Sequence, residues 1–170
     1  MTNRRAGKAG MAGVFALAMM LCGGRLLAQT GTAPAHQPYT LAYDSVSTFL
    51  MSVIPPKNRG DVKSIKLSAQ GTELRVDAEV RMSAVPGFEF MGALGSGYAN
   101  VTGVGPVNVI SPGLVGWQIR TISVAGAPIA QSIWAPLIRN ATKRQDTYVP
   151  FRVGTWVKGV AVEEKGLRLY

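Results

Sequence analysis

Cysteine and histidine are almost missing from this chain, and their scarcity excludes several kinds of active site. Among 170 residues there is one cysteine, Cys22, and one histidine, His36. Cys22 lies in an N-terminal segment that we expect to be removed, so the remaining chain has no disulfide, thiol nucleophile or cysteine-ligated metal. His36 lies in Thr30–Tyr39, a stretch rich in proline, glycine and threonine that would not hold its ring rigidly. A Ser-His-Asp triad and a zinc centre with several histidine ligands are therefore excluded.

Carboxylates are the remaining candidates for acid–base chemistry, and the chain has only nine of them. Hydrolysis by a carboxylate pair needs two of these groups in one cleft, with their pKa values pushed apart. Asp77 and Glu79 share a predicted strand face, but Arg75 and Arg81 lie on the same face. We interpret that face as a solvated, charge-balanced surface. The sequence thus predicts a non-enzymatic protein with no metal and no cofactor.

Positive charge is in excess but is not clustered. The formal net charge of +9 includes Arg4, Arg5, Lys8 and Arg25. Without these four of the 18 basic residues, 14 remain against 9 acidic residues, which gives a net charge of +5. The remaining basic residues are scattered, whereas nucleic-acid binding favours a basic patch with interleaved aromatic residues. We expect no nucleic-acid partner, and two interpretations stay open: a mild attraction to anionic lipid headgroups or a surface that is merely soluble.

Residues 1–28 have the three-part layout of a secretory signal peptide. A basic start is followed by the mostly apolar run Met11–Leu21 and by Leu26-Leu27-Ala28, which ends in a small residue. The apolar run is shorter than the roughly 20 residues that a spanning helix needs, and an uncleaved anchor helix is the alternative. We predict an exported protein, periplasmic or extracellular, that starts near Gln29. Residues 29–39 are then a flexible leader, and residues 40–170 form a single α+β domain.

Two segments have the apolar spacing of amphipathic helices. The first is Leu41–Ile54, with Thr40 as its N-cap and Pro55-Pro56 as its stop. The second runs from about Pro128 to Thr142, and Pro136 inside it should kink or split it. Their apolar faces consist of Ala42, Val46, Phe49, Leu50 and Val53 in the first, and of Ile129, Ile133, Trp134, Leu137 and Ile138 in the second.

Strands account for most of the remaining pattern. In Glu73–Ala84 every second residue is apolar, which predicts a half-buried antiparallel strand. Gly103, Gly105 and Pro106 predict a bend, a bulge or an edge within Tyr98–Ile110. This order of elements predicts an α+β fold of two layers, with a long antiparallel sheet packed on two amphipathic helices. Further strands are predicted at Asp61–Ala69, at Leu114–Val124 and, as one or two strands, over Tyr148–Tyr170.

The glycine-rich segment Pro86–Gly97 is unusual because it is a predicted loop with large apolar side chains. Loops normally run over the surface and are polar. Two interpretations stay open, an inward cap on the core or a loop that contacts a membrane surface. The residues concerned are Phe88, Phe90, Met91 and Leu94.

The C-terminal half of the chain carries a recognisable layout. Gly103–Val109 (GVGPVNV) leads into Trp117–Ile129, a helix follows, and then come Val149–Val153 (VPFRV) and Val157–Val162. This order resembles the bacterial secreted or membrane-anchored proteins of the phospholipid-binding, mannan-elongation-factor type, which are similar to TULIP-like lipid-binding domains. The helix Leu41–Ile54, followed by prolines, matches the first helix of that family. The resemblance implies a curved antiparallel sheet wrapped on helices, an apolar groove between them and no catalytic residues.

We therefore predict a non-enzymatic envelope protein that binds phospholipid or another apolar ligand between the sheet and the two helices. The alternative is a structural or adaptor module of the envelope, with a filled core and a protein partner. A cavity of several hundred Å³ between helix and sheet would favour the first function. A solid core with an exposed apolar patch would favour the second. The sequence leaves the oligomeric state open. The residues predicted to line the groove are Val46, Phe49, Leu50, Val53, Val76, Val80, Trp117, Trp134, Ile138 and Phe151.

Overall fold

The computed structural model describes residues 37–84 and 97–170. The predicted signal peptide, His36 and the loop residues Phe88, Phe90, Met91 and Leu94 lie outside the described residues. The described part has two α-helices, α1 (Tyr43–Val53) and α2 (Gln131–Thr142). Neither of them is long and apolar enough to cross a membrane. The strands are β1 (Tyr39–Ala42), β2 (Val62–Gln70), β3 (Glu73–Arg81), β4 (Tyr98–Gly105), β5 (Val107–Ser111), β6 (Leu114–Gln118), β7 (Thr121–Val124), β8 (Ala127–Ile129), β9 (Tyr148–Arg152), β10 (Val160–Glu163) and β11 (Gly166–Leu169).

Antiparallel sheets and two helices make up the fold, which confirms the α+β class. The strands pair in three sheets, where the sequence predicted one long sheet. The largest sheet has the order β2-β3-β4-β7-β8, the second β5-β6-β9 and the third β1-β11-β10. The third sheet pairs Tyr39–Ala42 with Gly166–Leu169, at opposite ends of the described chain. Local periodicity carries no signal for such a distant pairing, and it also merged β9, β10 and β11 into one or two strands.

The chain passes from the first sheet to the second at a bend. Pro106 separates β4 from β5, because proline has no N–H to donate to the ladder. Hydrogen bonding continues across the break: the amide of Gln118 donates to the carbonyl oxygen of Pro106, and the amide of Arg120 to that of Val104, both at 2.9 Å. Gly105 permits this close approach, since a Cβ there would overlap the carbonyl group of Gln118. The bend predicted at this glycine and proline is confirmed, but each of the two predicted long strands is divided by it.

One face of β3 is dry and the other is wet, as its alternating sequence predicts. Val76 and Val80 are 0% exposed, and the polar residues between them stay partly exposed. The strand ends at Arg81, earlier than predicted, because the chain turns there into the 3-10 turn Met82–Ala84. Met82 nevertheless remains buried.

α1 begins later than predicted because the first two residues of the predicted helix belong to β1. Thr40 pairs with Arg168 in the ladder between β1 and β11. The N-cap is therefore Ala42, which offers no capping side chain. The helix ends at Val53, and the residue that precedes Pro55 is extended, as expected before a proline.

α2 also begins later than predicted, because the residues before Gln131 form β8. Pro136 lies inside one continuous helix and does not split it. Proline has no N–H to donate to the carbonyl oxygen four residues earlier, that of Ser132. Both residues are exposed, so water can donate to this oxygen instead. Ile133, which the sequence placed on the apolar face, is 52% exposed. Trp134 and Ile138, which the sequence also placed on the apolar face, are buried as predicted.

One hydrophobic cluster joins both helices to all three sheets. α1 packs on β2 and β1, whereas α2 packs on β9 and β7. The two helices therefore cover different strands, and this difference positions the candidate site.

Candidate functional site

An apolar pocket lies under α1, where the three sheets meet. Its volume is about 110 Å³. β2 and β3 of the first sheet, β6 and β9 of the second, and β1 and β11 of the third all contribute to its wall. The lining residues are Leu41, Ser45, Val46, Phe49, Leu50, Leu67, Leu74, Trp117, Phe151 and Leu167.

The floor of the pocket is fixed and dry. Trp117 is 1% exposed, and Leu50, Leu74 and Leu167 are also buried. The indole of Trp117 lies against Gly103, where a Cβ would come within 2.7 Å of the ring. Its Nε1 donates a hydrogen bond to the carbonyl oxygen of Gly105 at 3.2 Å. The one polar atom of the indole is therefore satisfied by backbone, and the ring supplies only apolar surface to the site.

The rim of the pocket is partly open to solvent. Val46 and Phe49 on α1, Leu67 on β2 and Phe151 on β9 are all half-buried. Ser45, the one lining residue with a polar side chain, is exposed. No lining residue carries a charge. An apolar molecule can thus reach the floor from the surface without crossing a polar barrier.

The position of α1 above the pocket is fixed at both ends of the helix. At the first turn, the Tyr43 hydroxyl donates a hydrogen bond to the carbonyl oxygen of Glu163 at 2.7 Å. Burial and the nearby Glu163 carboxylate raise the pKa of Tyr43, so this hydroxyl stays a donor. At the other end Ile54 is 1% exposed. The middle turn, with Val46 and Phe49, is the part of the helix left over the pocket.

The volume limits what the pocket can hold. An engineered apolar cavity of about 150 Å³ stays dry and accepts benzene, and this pocket is somewhat smaller. It accommodates the terminal carbons of one alkyl chain or one apolar side chain. The rest of a larger ligand would lie outside, along the half-buried rim.

The structure brings together some of the predicted groove residues and separates the others. Val46, Phe49, Leu50, Trp117 and Phe151 line the pocket. The remaining five lie outside the pocket lining: Val76, Val80, Trp134 and Ile138 belong to the hydrophobic cluster, and Val53 packs against it. Trp134 and Ile138 belong to α2, which does not line the pocket.

Sequence reasoning missed four apolar residues of the lining: Leu41, Leu67, Leu74 and Leu167. Leu67 and Leu74 had some signal, since both lie on predicted strands and Leu74 is on the dry face of β3. The other two could not be found locally. Leu41 pairs with Leu167 in the ladder between β1 and β11, which the sequence did not predict.

The wet face of β3 is a network of paired charges. The Arg75 guanidinium donates to both carboxylate oxygens of Asp77, at 2.7 Å and 2.9 Å, and the Thr102 hydroxyl donates to the same carboxylate at 2.6 Å. The hydrogen bonds from Arg75 hold the pKa of Asp77 below its usual value. Glu79 forms an ion pair with Lys63 at 2.8 Å. The predicted charge-balanced surface is confirmed, and the lowered pKa of Asp77 is opposite to the raised pKa that a catalytic acid needs.

Within residues 37–84 and 97–170, no three His, Cys, Asp or Glu side chains come together as metal ligands would. Comparison of the chain with protein-family models, with curated proteins and with solved structures found no match. The resemblance to phospholipid-binding proteins therefore stays a prediction. The function of the pocket has to be argued from its own geometry.

Proposed function

We propose that the protein binds a lipid, or another ligand with an alkyl chain, by inserting the end of that chain into the pocket under α1. The observation that carries this proposal is an uncharged, apolar pocket whose floor is dry and whose rim is open. Ligand sites are concave, mostly apolar and largely pre-formed, and at roughly 300–1,000 Å³ they are usually larger than this pocket, so only the end of the chain would enter it. The protein acts here as a carrier or binding module and not as an enzyme.

The proposal also includes the cellular location and the domain organisation of the protein. The chain is exported to the periplasm or beyond after removal of residues 1–28, and residues 40–170 act as one domain. We further infer that the sheets form one curved antiparallel surface wrapped on the helices. The hydrogen bonds from Gln118 to Pro106 and from Arg120 to Val104 support this, because they join the first sheet to the second at the bend.

The energetics favour a chain end of a few carbons. Each methylene moved from water into an apolar site contributes about 0.8 kcal/mol. Four buried carbons would then contribute about 3 kcal/mol, so retention also needs contacts of the rest of the chain along the half-buried rim. No charged residue lines the pocket, so affinity should follow the length of the chain and depend little on the headgroup.

A filling substitution tests this proposal. Val46→Trp places an indole at the rim, and we expect it to reduce binding of a fluorescent fatty acid at least tenfold while circular dichroism stays unchanged. The matched control is Thr48→Trp, on the same helix but exposed and outside the lining, which should bind like the wild type. Equal affinity in Val46→Trp and wild type would refute binding in this pocket.

The second candidate function is the structural or adaptor module of the envelope. The small size of the pocket favours it, since about 110 Å³ also fits one apolar side chain of a partner protein. Absence of fatty-acid and phospholipid binding by the wild-type protein would exclude the lipid proposal and leave this one. The Val46→Trp variant would then lose the protein partner instead.

A further inference from the structure

The outward side of α2 combines exposed apolar residues with cations. Trp134, Ala135, Ile138 and Thr142 form its buried side. On the other side, Ile133, Pro136 and Asn140 follow one another at i, i+3 and i+7, so they form one stripe along the helix. All three are exposed, and Ile133 is one of the few large apolar residues of the described chain that is more than half exposed.

The stripe ends in a shallow concavity at the C-terminal end of α2. Its volume is about 400 Å³, and Pro136, Arg139, Asn140, Lys143, Arg144 and Gln145 line it. Three of these side chains are cationic, two are amides and none is a carboxylate. Arg144 is already paired with Asp146 through two hydrogen bonds of 2.8 Å. Arg139 and Lys143 form no ion pair within residues 37–84 and 97–170, so their positive charges face solvent uncompensated.

Cations at a helix C-terminus also interact favourably with the helix dipole. That effect accounts for Arg139 and Lys143, but it does not explain the apolar surface beside them. The chain has no charged residue from Thr121 to Ile138, although Ala127, Pro128 and Ala130 are exposed there. A surface that is apolar at one end and cationic at the other matches the glycerol and phosphate levels of an anionic lipid layer.

We propose that this outward side of α2, from Ile133 to Lys143, docks on an anionic lipid bilayer. Ile133 and Pro136 enter the interfacial region, while Arg139 and Lys143 contact lipid phosphates. This surface is separate from the pocket under α1, so the inference does not depend on the proposed ligand site. Docking by α2 would nevertheless bring the protein to a source of alkyl chains.

The test is co-sedimentation of the purified protein with vesicles of phosphatidylcholine that contain 30% phosphatidylglycerol. A cation near an anionic surface changes the partition coefficient about fivefold. The double variant Arg139→Gln/Lys143→Gln should therefore bind these vesicles roughly twenty- to thirtyfold more weakly than the wild type. Ile133→Gln should weaken binding severalfold and also lower the binding that persists in 0.5 M salt.

The control variant is Lys158→Gln/Lys165→Gln, which removes the same net charge at two exposed residues away from α2. It should bind as tightly as the wild type to within about twofold, since only a local loss of charge matters in this proposal. Because every variant keeps the same N-terminal segment, any contribution of that segment cancels in the comparison. Val46→Trp should also retain vesicle binding, which separates a failure of this proposal from a failure of the pocket.

Three outcomes would overturn the proposal. The first is equal weakening by the α2 pair and the control pair, which would show a general effect of net charge. The second is unchanged vesicle binding in Ile133→Gln and in the α2 pair. The third is full displacement of the protein from vesicles by millimolar glycerol phosphate at constant ionic strength, which would show a site for a soluble anion.

Discussion

The two helices cover the sheets in different ways. α2 buries its large apolar side chains against the core, since Trp134 is 4% exposed and Ile138 is 5% exposed. Under the middle of α1 an apolar pocket remains, with Val46 and Phe49 half-buried at its rim. Both helices are amphipathic, so amphipathicity alone does not determine whether a helix encloses a cavity. The difference lies in what each helix covers.

α2 packs on β9 and β7 and buries a large aromatic ring, Trp134, in the core. α1 instead spans the junction of three sheets, where β2, β6 and β11 approach from different sides. It is held by Tyr43 at one end and Ile54 at the other. Because its ends are fixed, the helix does not sink into the junction, and a pocket is left beneath it.

A charge placed in the hydrophobic cluster would destabilise the core on which both helices pack. Val80 is 0% exposed on β3 and belongs to the core cluster shared by the helices. Val80→Lys should destabilise the fold by about 5 kcal/mol, since the ammonium group would be buried without a partner. Glu79→Lys, on the wet face, should cost less than about 1 kcal/mol. Urea denaturation measures both, and equal midpoints would show that the register of β3 is wrong.

Truncating one aromatic residue on each helix tests the comparison itself. Trp134→Ala should cost about 3–5 kcal/mol, because it leaves a cavity where a 4% exposed ring was packed. Phe49→Ala should cost only about 1–2 kcal/mol, because its ring is half-exposed beside an existing pocket. The free energies of unfolding, obtained from denaturant titrations, decide this. A larger cost for Phe49→Ala than for Trp134→Ala would contradict the difference in packing between the two helices.

The hydrogen bond that holds the first turn of α1 can be removed without changing a residue of the pocket lining. Tyr43→Phe deletes the hydrogen bond to the Glu163 carbonyl oxygen and should cost about 1 kcal/mol. Hydrogen exchange should accelerate at the backbone amides of α1 and stay unchanged at those of α2. Uniform acceleration over both helices would mean that this bond supports the whole core and not α1 alone.

The smallest effect concerns acid stability on the polar face. The folded state lowers the pKa of Asp77, so this group stabilises the fold above its unfolded pKa of about 3.9. That contribution is lost as pH falls through the lowered pKa. Asp77→Asn should therefore reduce stability at pH 6 by less than about 1 kcal/mol and flatten its decline below about pH 4. Parallel stability curves for variant and wild type between pH 2 and 6 would contradict this.

Local pattern predicted the parts of the fold that depend on neighbouring residues. The alternation in Glu73–Ala84 gave the dry and wet faces of β3, and Pro55-Pro56 gave the end of α1. Gly105 and Pro106 marked the bend between two sheets. Each of these signals is a property of a short segment, such as a period of two or a missing N–H.

The local sequence pattern did not predict which distant strands pair. Thr40 looked like an N-cap, but it pairs with Arg168 in a strand ladder. Ile133 fits a helical period, but tertiary packing turns Trp134 inward and leaves Ile133 exposed. The lining residues Val46, Phe49 and Leu50 on α1 were found from sequence, whereas Ser45 on the same helix and Leu167 on β11 were not. A pocket between three sheets depends on which strands meet, and periodicity does not encode that.

The central claim, that the pocket under α1 holds an alkyl chain, is tested most directly by quenching of single tryptophans. The chain has three tryptophans, of which Trp117 lines the pocket floor and Trp134 lies outside the lining. Proteins that retain only one of them, with phenylalanine at the other two positions, are titrated with a fatty acid brominated near its methyl end. We predict saturable quenching of Trp117 and little quenching of Trp134. Equal quenching of both residues, or none of Trp117 in a folded protein, would contradict the claim.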